Sequence, residues 1–428
     1  MKRLLLSLFL VALFPSLLFA QQGYLVVTAP GNNLLQLAIA PAVPMAGKED
    51  AAVVRELEEV LNFDLSLSGL FKLQAVQAAT ARGGIRPGEF PLDPWRALGT
   101  DILLKCGYST EGGKLTIECR LYDVARGSEM TAKRYTGPGR ELRRMAHSFS
   151  DEVLRAITGT PGPFTGKIAF VATLTGNKEV YLMDYDGANV QRLTKNGSIN
   201  LNPDFSPSGQ DIIYTSYQKG NPDLYRRNVS RGAEARISSR RGINVTAAWS
   251  PDGKRIALAM SKDGTSAIYV IDNDGRELAR LTRDDAISVS PSWSPDGKQL
   301  AFVSDRYGKP QVFVMNADGS GVRRLTTSGA YNVSPRWSPK GDRIIYCRQG
   351  SGGFQIHAIG PDGRGDTQLT FEGSNEHPRW SPDGRFITFS SRRGGKEALF
   401  VMRADGSGQT QVSRVKADAS HPAWSPRM

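Results

Sequence analysis

Several things are scarce in this chain, and each scarcity closes off a class of protein. Three cysteines in 428 residues cannot supply a disulfide framework. Histidine is almost as rare, with His147, His357, His377 and His421 the full set. No G-x-S-x-G, G-x-x-x-x-G-K-[ST], H-E-x-x-H or C-x-x-C occurs, so there is no nucleophile elbow, phosphate loop, zinc-protease helix or paired-thiol motif. Basic residues exceed acidic ones by a formal +12, yet they stand one or two at a time, without a long basic run or a basic helix. Such a surface is solvated and attracts acidic partners; it is not the footprint of a nucleic-acid binder.

Long apolar runs are also missing, except at the start. Lys2-Arg3 precede an apolar run from Leu4 to Leu13, and Ala20 offers a small residue before "QQGYLVV". Residues 1–20 therefore read as an export signal. The run is short for a membrane anchor and Pro15 follows it closely. No cysteine stands directly after Ala20 to carry a lipid there, and no later segment could span a bilayer, which implies a mature chain that is soluble outside the cytoplasm.

What the sequence does contain is a repeat. The serine of each [FW]-S-P falls at Ser206, Ser250, Ser294, Ser338, Ser381 and Ser425, at spacings of 44, 44, 44, 43 and 44. In step with it runs a second motif, "MDYDGANVQRLT" from Met183, "IDNDGRELARLT" from Ile271 and "MNADGSGVRRLT" from Met315, with one degenerate copy, "RNVSRGAEARIS" from Arg227. Each unit reads as four short strands: A ending at the aromatic residue, a turn at "SPDG", B such as "QLAFVS", C such as "QVFVMN", and D such as "VRRLT". Four strands per unit of this length describe a propeller blade, with the tryptophan of strand A packed between blades. The first unit, "GKIAFVATL" onward, lacks a strand A, and "PAWSP" at the C-terminus supplies one, so the ring closes with six blades over residues 161–428.

Residues 21–160 read as a small α+β domain. "LLQLAIA" is strand-like, and "KEDAAVVRELEEVL" is helical with Val53, Leu57, Val60 and Leu61 on one face. A second helix runs from about Arg140 to Ile157 with Leu142, Met145, Phe149 and Val153 inward; Gly159, Pro161 and Pro163 then form a linker. Between the helices, a turn at Gly112-Gly113 pairs residues whose numbers sum to 225, which places Cys106 opposite Cys119. Either a disulfide or two buried thiols satisfies that placement. Cys347 has no evident partner.

No constellation of residues calls for catalysis, a metal or a cofactor. The D-x-D-G copies lack the further acids of a calcium loop and serve as turns. His377 and His421 stand before the proline of two strand A copies, where they are expected as exposed loop residues near a common channel. The informative positions are the loops entering strand A, among them "NGSINLN", "RGINVT", "DDAISVS" and "SGAYNVS", since function sits on loops carried by a rigid scaffold. A small ligand or saccharide in the central channel would use the same loops, although Tyr331 is their only aromatic residue.

The join "AHSFSDEVLRAITGTPGPFTGKIAFV", the six blades and "PAWSP" at the terminus together resemble the periplasmic TolB proteins of the Tol-Pal system, and the resemblance covers nearly the whole mature chain. It implies a non-enzymatic, monomeric periplasmic protein without a membrane span, whose propeller binds the peptidoglycan-associated lipoprotein Pal at the channel mouth. It also implies that residues 21 to about 32 communicate with TolA, in outer-membrane integrity and constriction during division. Carried onto this sequence, the Pal contacts fall on Ile243, where some relatives have His, and on Thr246 and Val289. Asn202, Ser334, His377 and His421 stand at matching points of the other loops. His147 and Asp151 also match the family and are read as structural.

Overall fold

The computed structural model describes residues 34–427 apart from 78, 79 and 81. The export signal and the stretch assigned to TolA lie outside the described residues.

The N-terminal region is built on a sheet of strands β1 (Leu35–Ile39), β2 (Val43–Pro44), β3 (Phe71–Gln74), β4 (Ile102–Glu111), β5 (Lys114–Asp123) and β6 (Ser128–Pro138). The order is β3-β1-β4-β5-β6, with β2 alongside β4; β1 pairs parallel with both β3 and β4, and the rest of the main ladder is antiparallel. Helix α1 (Ala51–Ser68) starts where the Asp50 side chain accepts the N–H groups of Ala52 and Val53, and stops at Gly69 with φ 70°. It is longer than the "VVRELEEVL" stripe suggested, because Leu65 and Leu67 extend the buried face. A short helix α2 (Asp93–Ala97) and the long β6 were not anticipated, while α3 (Leu142–Thr158) buries Leu142, Met145, Phe149 and Val153 as expected. The β4–β5 register is the one that sums to 225. Cys106 and Cys119 are disulfide-bonded with Cα atoms 4.1 Å apart, close to the roughly 4.5 Å of a non-hydrogen-bonded pair.

Six four-stranded sheets follow. Blade 1 comprises Asn200–Phe205, Asp211–Ser216, Asp223–Asn228 and Glu234–Ser238 as strands A to D, and blades 2 to 5 repeat this order with strands A at Asn244–Trp249, Ser288–Trp293, Asn332–Trp337 and Asn375–Trp380. Blade 6 joins Ala419–Trp424 as strand A to Lys167–Ala172, Glu179–Asp184 and Gln191–Arg192 as B to D. Its closing ladder pairs Ala423 with Ala169 and Trp424 with Ile168. The degenerate copy forms an ordinary strand D.

The repeated letters act through repeated hydrogen bonds. The serine of W-S-P donates to the aspartate two residues on, as in Ser250–Asp252 at 2.5 Å and Ser294–Asp296 at 2.6 Å, and accepts the N–H that opens strand B. The threonine ending "RLT" accepts a strand C N–H: Ile268 to Thr282 at 2.9 Å, Val312 to Thr326 at 3.0 Å. Both devices satisfy backbone donors that short strands would otherwise bury unpaired. Each tryptophan packs against the preceding blade, Trp249 with Ile213 and Leu224 and Trp293 with Ala257 and Ile268.

One apolar cluster continues from the N-terminal sheet into the ring, through Phe149 and Phe164 to Tyr185, Phe386 and Trp424. The contact uses the side of the ring where strand A turns into B and strand C into D, at blades 5 and 6.

Candidate functional site

The strands that enter the channel begin earlier than the sequence suggested. The last three residues of each proposed loop already belong to strand A, so Asn202, Thr246, Val289, Ser334, His377 and His421 lie on strands and only Ile243 precedes one. Each strand A is bulged after its second residue; between Val289 and Ser292, for example, two residues oppose one on strand B. At the bulge the backbone is left-handed: Asn202, Thr246, Ser290, Ser334, His377 and His421 all have φ between 50° and 56°. This is costly for a residue with a Cβ, most of all for β-branched Thr246, and it recurs in every blade because the closed ring holds it. A proline follows in five of the six, and proline disfavours the ordinary helical conformation for the residue before it.

In two places the bulge residues of adjacent blades touch across the channel wall. The Ser290 N–H donates to Thr246 Oγ1 at 3.1 Å, and Val289 packs with Val245 against the cluster between blades 2 and 3. His377 and His421 are not separate exposed loop residues. Their rings stack with centroids 3.7 Å apart, and the two Nδ1 atoms meet Ser390 and Ser420 Oγ at 3.3 and 2.9 Å. Each ring keeps some exposed surface, but the channel walls withhold bulk water. Burial, reinforced by Lys178, lowers His377 to about 4; burial, with His377 and Lys178, holds His421 well below the ordinary value. The pair is neutral at neutral pH, which lets the rings stack. Asn202, Ser334, Ile243 and Val289 are half-buried on the same side of the ring.

A second polar group lies where the two regions meet. Asp64 of α1 accepts from His147 Nδ1 of α3 at 2.9 Å and from the Tyr185 hydroxyl, while His147 Nε2 stands 3.5 Å from Asp186 of the ring. Arg143 of α3 pairs with Asp186, and Lys167 with Asp184 at 2.5 Å. Burial opposes the imidazolium of His147, but Asp64 and Asp186 outweigh it and raise the group to about 10. Asp186 is held below the carboxylate range although burial works against this, because His147 and Arg143 face it. His147, Asp184 and Asp186 offer ligand atoms within 4.8 Å of one another, the spacing of a cation site. Three carboxylates there, Asp64, Asp184 and Asp186, are already matched by His147, Arg143 and Lys167, so the cluster is neutral as it stands. Asp151 ties α3 to the linker and the C-terminal segment: it accepts from the Phe164 N–H and the Thr165 hydroxyl, and pairs with Arg427 at 2.9 Å.

Sequence reasoning found His147 and Asp151 but not Asp64, Arg143, Tyr185 or Asp186. Asp64 had a signal. It continues the spacing of Leu57, Val60 and Leu61, and an acid on the apolar stripe of a helix needs a buried partner.

Comparison with known proteins agrees with this architecture. The family model described as the TolB beta propeller domain matches residues 154–428, and that of the TolB amino-terminal domain matches residues 23–130. This chain belongs to the TolB family. The Tol-Pal system protein TolB of Geobacter sulfurreducens is 63% identical over 208 residues, 49% of this chain and 48% of that one. That of Syntrophotalea carbinolica is 46% identical over 208 residues, 48% of each chain. These alignments thus span about half the length of the curated relatives. The crystal structure of TolB from Acinetobacter baumannii, 26% identical, superposes with a TM-score of 0.82 over 92% of this chain and 97% of that one. Among the described residues no helix is long and apolar enough to cross a membrane.

Proposed function

We propose that the chain is a non-enzymatic, monomeric component of a Tol-Pal envelope system in the periplasm, and that the strand A side of its channel docks the peptidoglycan-associated lipoprotein Pal. The observation that carries this reading is the ring of left-handed bulge residues. Strain of this kind is kept where a surface must be held ready, and here it presents Asn202, Thr246, Ser334, His377 and His421 as one band with Ile243 and Val289 beside it. The contacts between the N-terminal region and the ring fall on the opposite, turn side, at Phe386, Tyr185 and Trp424, and do not compete with it. The names of the relatives support membership of the system. Division of the exported chain near residue 160 leaves residues 21–160 for communication with TolA through their first dozen residues. The same complex would serve outer-membrane integrity and constriction at division.

The test is capture of Pal from an envelope extract by the exported full chain. Thr246→Glu and Val289→Glu are expected to leave the ring folded, with a lowered melting temperature because Thr246 accepts the Ser290 N–H and Val289 packs between blades 2 and 3, and to reduce capture by the folded protein about ten-fold or more, the loss of roughly 1.4 kcal/mol. Undiminished capture by both variants would sink the site assignment, and absence of capture by the parent chain would sink the function.

A further inference from the structure

The turn-side mouth of the channel, away from the proposed lipoprotein surface, is built differently. Just before the aromatic residue of strand A, the six blades place Asp204, Ala248, Ser292, Arg336, Arg379 and Ala423 at one level. Small residues would suffice to let the ring close, and three blades have them. Blades 4 and 5 instead carry arginines, and blade 1 carries the single acid.

A cavity of about 210 Å³ opens at this level, lined by Arg336, Arg379 and Asp204 and walled by strand A indoles and turn prolines. Arg379 Nε lies 4.0 Å from Asp204 Oδ1, at the limit of an ion pair. Burial holds the Arg379 guanidinium below its usual range and lifts Asp204 to about 6, with Arg379 countering that rise. Asp204 also accepts from the Trp249 N–H at 3.4 Å. Arg336 Nη1 donates to the Pro291 and Pro335 carbonyls, both at 3.2 Å, and among the described residues no carboxylate lies within ion-pair distance of it. The Nε of each arginine is buried without a hydrogen-bond partner. Two guanidiniums thus face one weakly held carboxylate in an aromatic-walled space. Buried charge without full compensation is costly, and a planar anion accepting from a guanidinium fork relieves the cost.

We propose that this mouth binds a carboxylate between Arg336 and Arg379. The cavity is below the roughly 300 Å³ at which small-molecule pockets usually begin. It suits a short dicarboxylic acid or a single acidic side chain of a peptide entering the channel. The assignment does not rest on lipoprotein binding, which concerns the other mouth.

Isothermal titration of the full exported chain separates the sources. One arm uses succinate; a second uses a blocked Gly-Glu-Gly tripeptide with Gly-Gln-Gly as control; a third uses inorganic phosphate. Binding of succinate alone identifies a free acid, and binding of the glutamate peptide alone a peptide ligand; either supports the site. Arg336→Gln is expected to weaken the binding about ten-fold, the loss of one charge-assisted contact. Asp204→Asn removes the competing acid and is expected to tighten it several-fold, a gain that misfolding cannot imitate. The proposal is overturned if neither carboxylate probe binds at up to about 10 mM, weaker than any affinity of interest, if phosphate binds more tightly than both, or if Asp204→Asn binds no better than the parent.

Discussion

Closure of the ring by the last strand makes a short C-terminal deletion unusually expensive. Consider removal of residues 420–428. Trp424 is 7% exposed and stacks on Tyr185 and Phe386, with centroids 5.6 and 6.2 Å away. Loss of a buried tryptophan costs about 3–5 kcal/mol. The deletion also removes the Ser425 N–H to Lys167 carbonyl bond and the Lys167 N–H to Ser425 Oγ bond, each at 2.8 Å, together with the ladder to Ala169 and Val171. At about 1 kcal/mol per hydrogen bond this adds roughly 3–4 kcal/mol. Asp151 is fully buried and would lose its pair with Arg427 while keeping the Phe164 and Thr165 bonds, a further cost outside the sum. The sum, about 6–9 kcal/mol, is comparable to the whole stability of an ordinary domain, about 5–15 kcal/mol. Urea unfolding followed by circular dichroism should show the truncated chain largely unfolded, or expanded with a lower m-value. Trp424→Ala should recover about half the loss, and Trp293→Ala, which is 6% exposed between blades 2 and 3, should match it in stability. Only Trp424→Ala should also speed proteolysis at the linker between α3 and the ring. A truncated chain that unfolds at the parent midpoint and slope would refute closure as the source of stability.

Two further outcomes follow from buried contacts. The folded His147 group titrates near 10 against 6.5 for an ordinary histidine, so its contribution is fully present below about pH 6.5 and is lost as pH rises toward 10. Stability measured by denaturant across that window should fall, and His147→Gln should flatten the fall; an unchanged slope would remove the imidazolium from the account. Gly275 in the C–D turn of blade 2 has φ 84°, and a Cβ there would sit 1.8 Å from the Ile237 carbonyl oxygen of blade 1, whereas Gly264, with φ 106°, has open space. Gly275→Ala should lower the melting temperature clearly more than Gly264→Ala, by an excess on the order of 1–3 kcal/mol. Equal losses would mean the turn angle alone matters.

Much of the candidate site was legible by position and little of it by contact. The sequence placed His377 and His421 five and six blades along and near a common channel, but read them as solvent-facing; the stack depends on the bulge that turns both residues left-handed, and no letter of the repeat announces a bulge. His147 was marked by its neighbourhood in "AHSFSDEVL", while its partners Asp64 and Asp186 lie far from it in the chain. Arg336 and Arg379 could have been noticed as large cations where two other blades have alanine. That Asp204 would be the one carboxylate, among the described residues, paired with either of them could not.

The spacing of W-S-P, the two-residue alternation of each strand and the missing first strand A determined by themselves the number of blades and the closure, and the turn at Gly112-Gly113 determined the register that brings Cys106 to Cys119. These are consequences of local rules, in which turn chemistry and side-chain period act over a few residues and repeat. Tertiary structure alone decided the neutral histidine stack, the ion cluster that joins α1 and α3 to the ring, and the pair of arginines at the turn-side mouth. Each of these depends on which side chains meet across elements far apart in sequence, and on how much water the packing leaves between them.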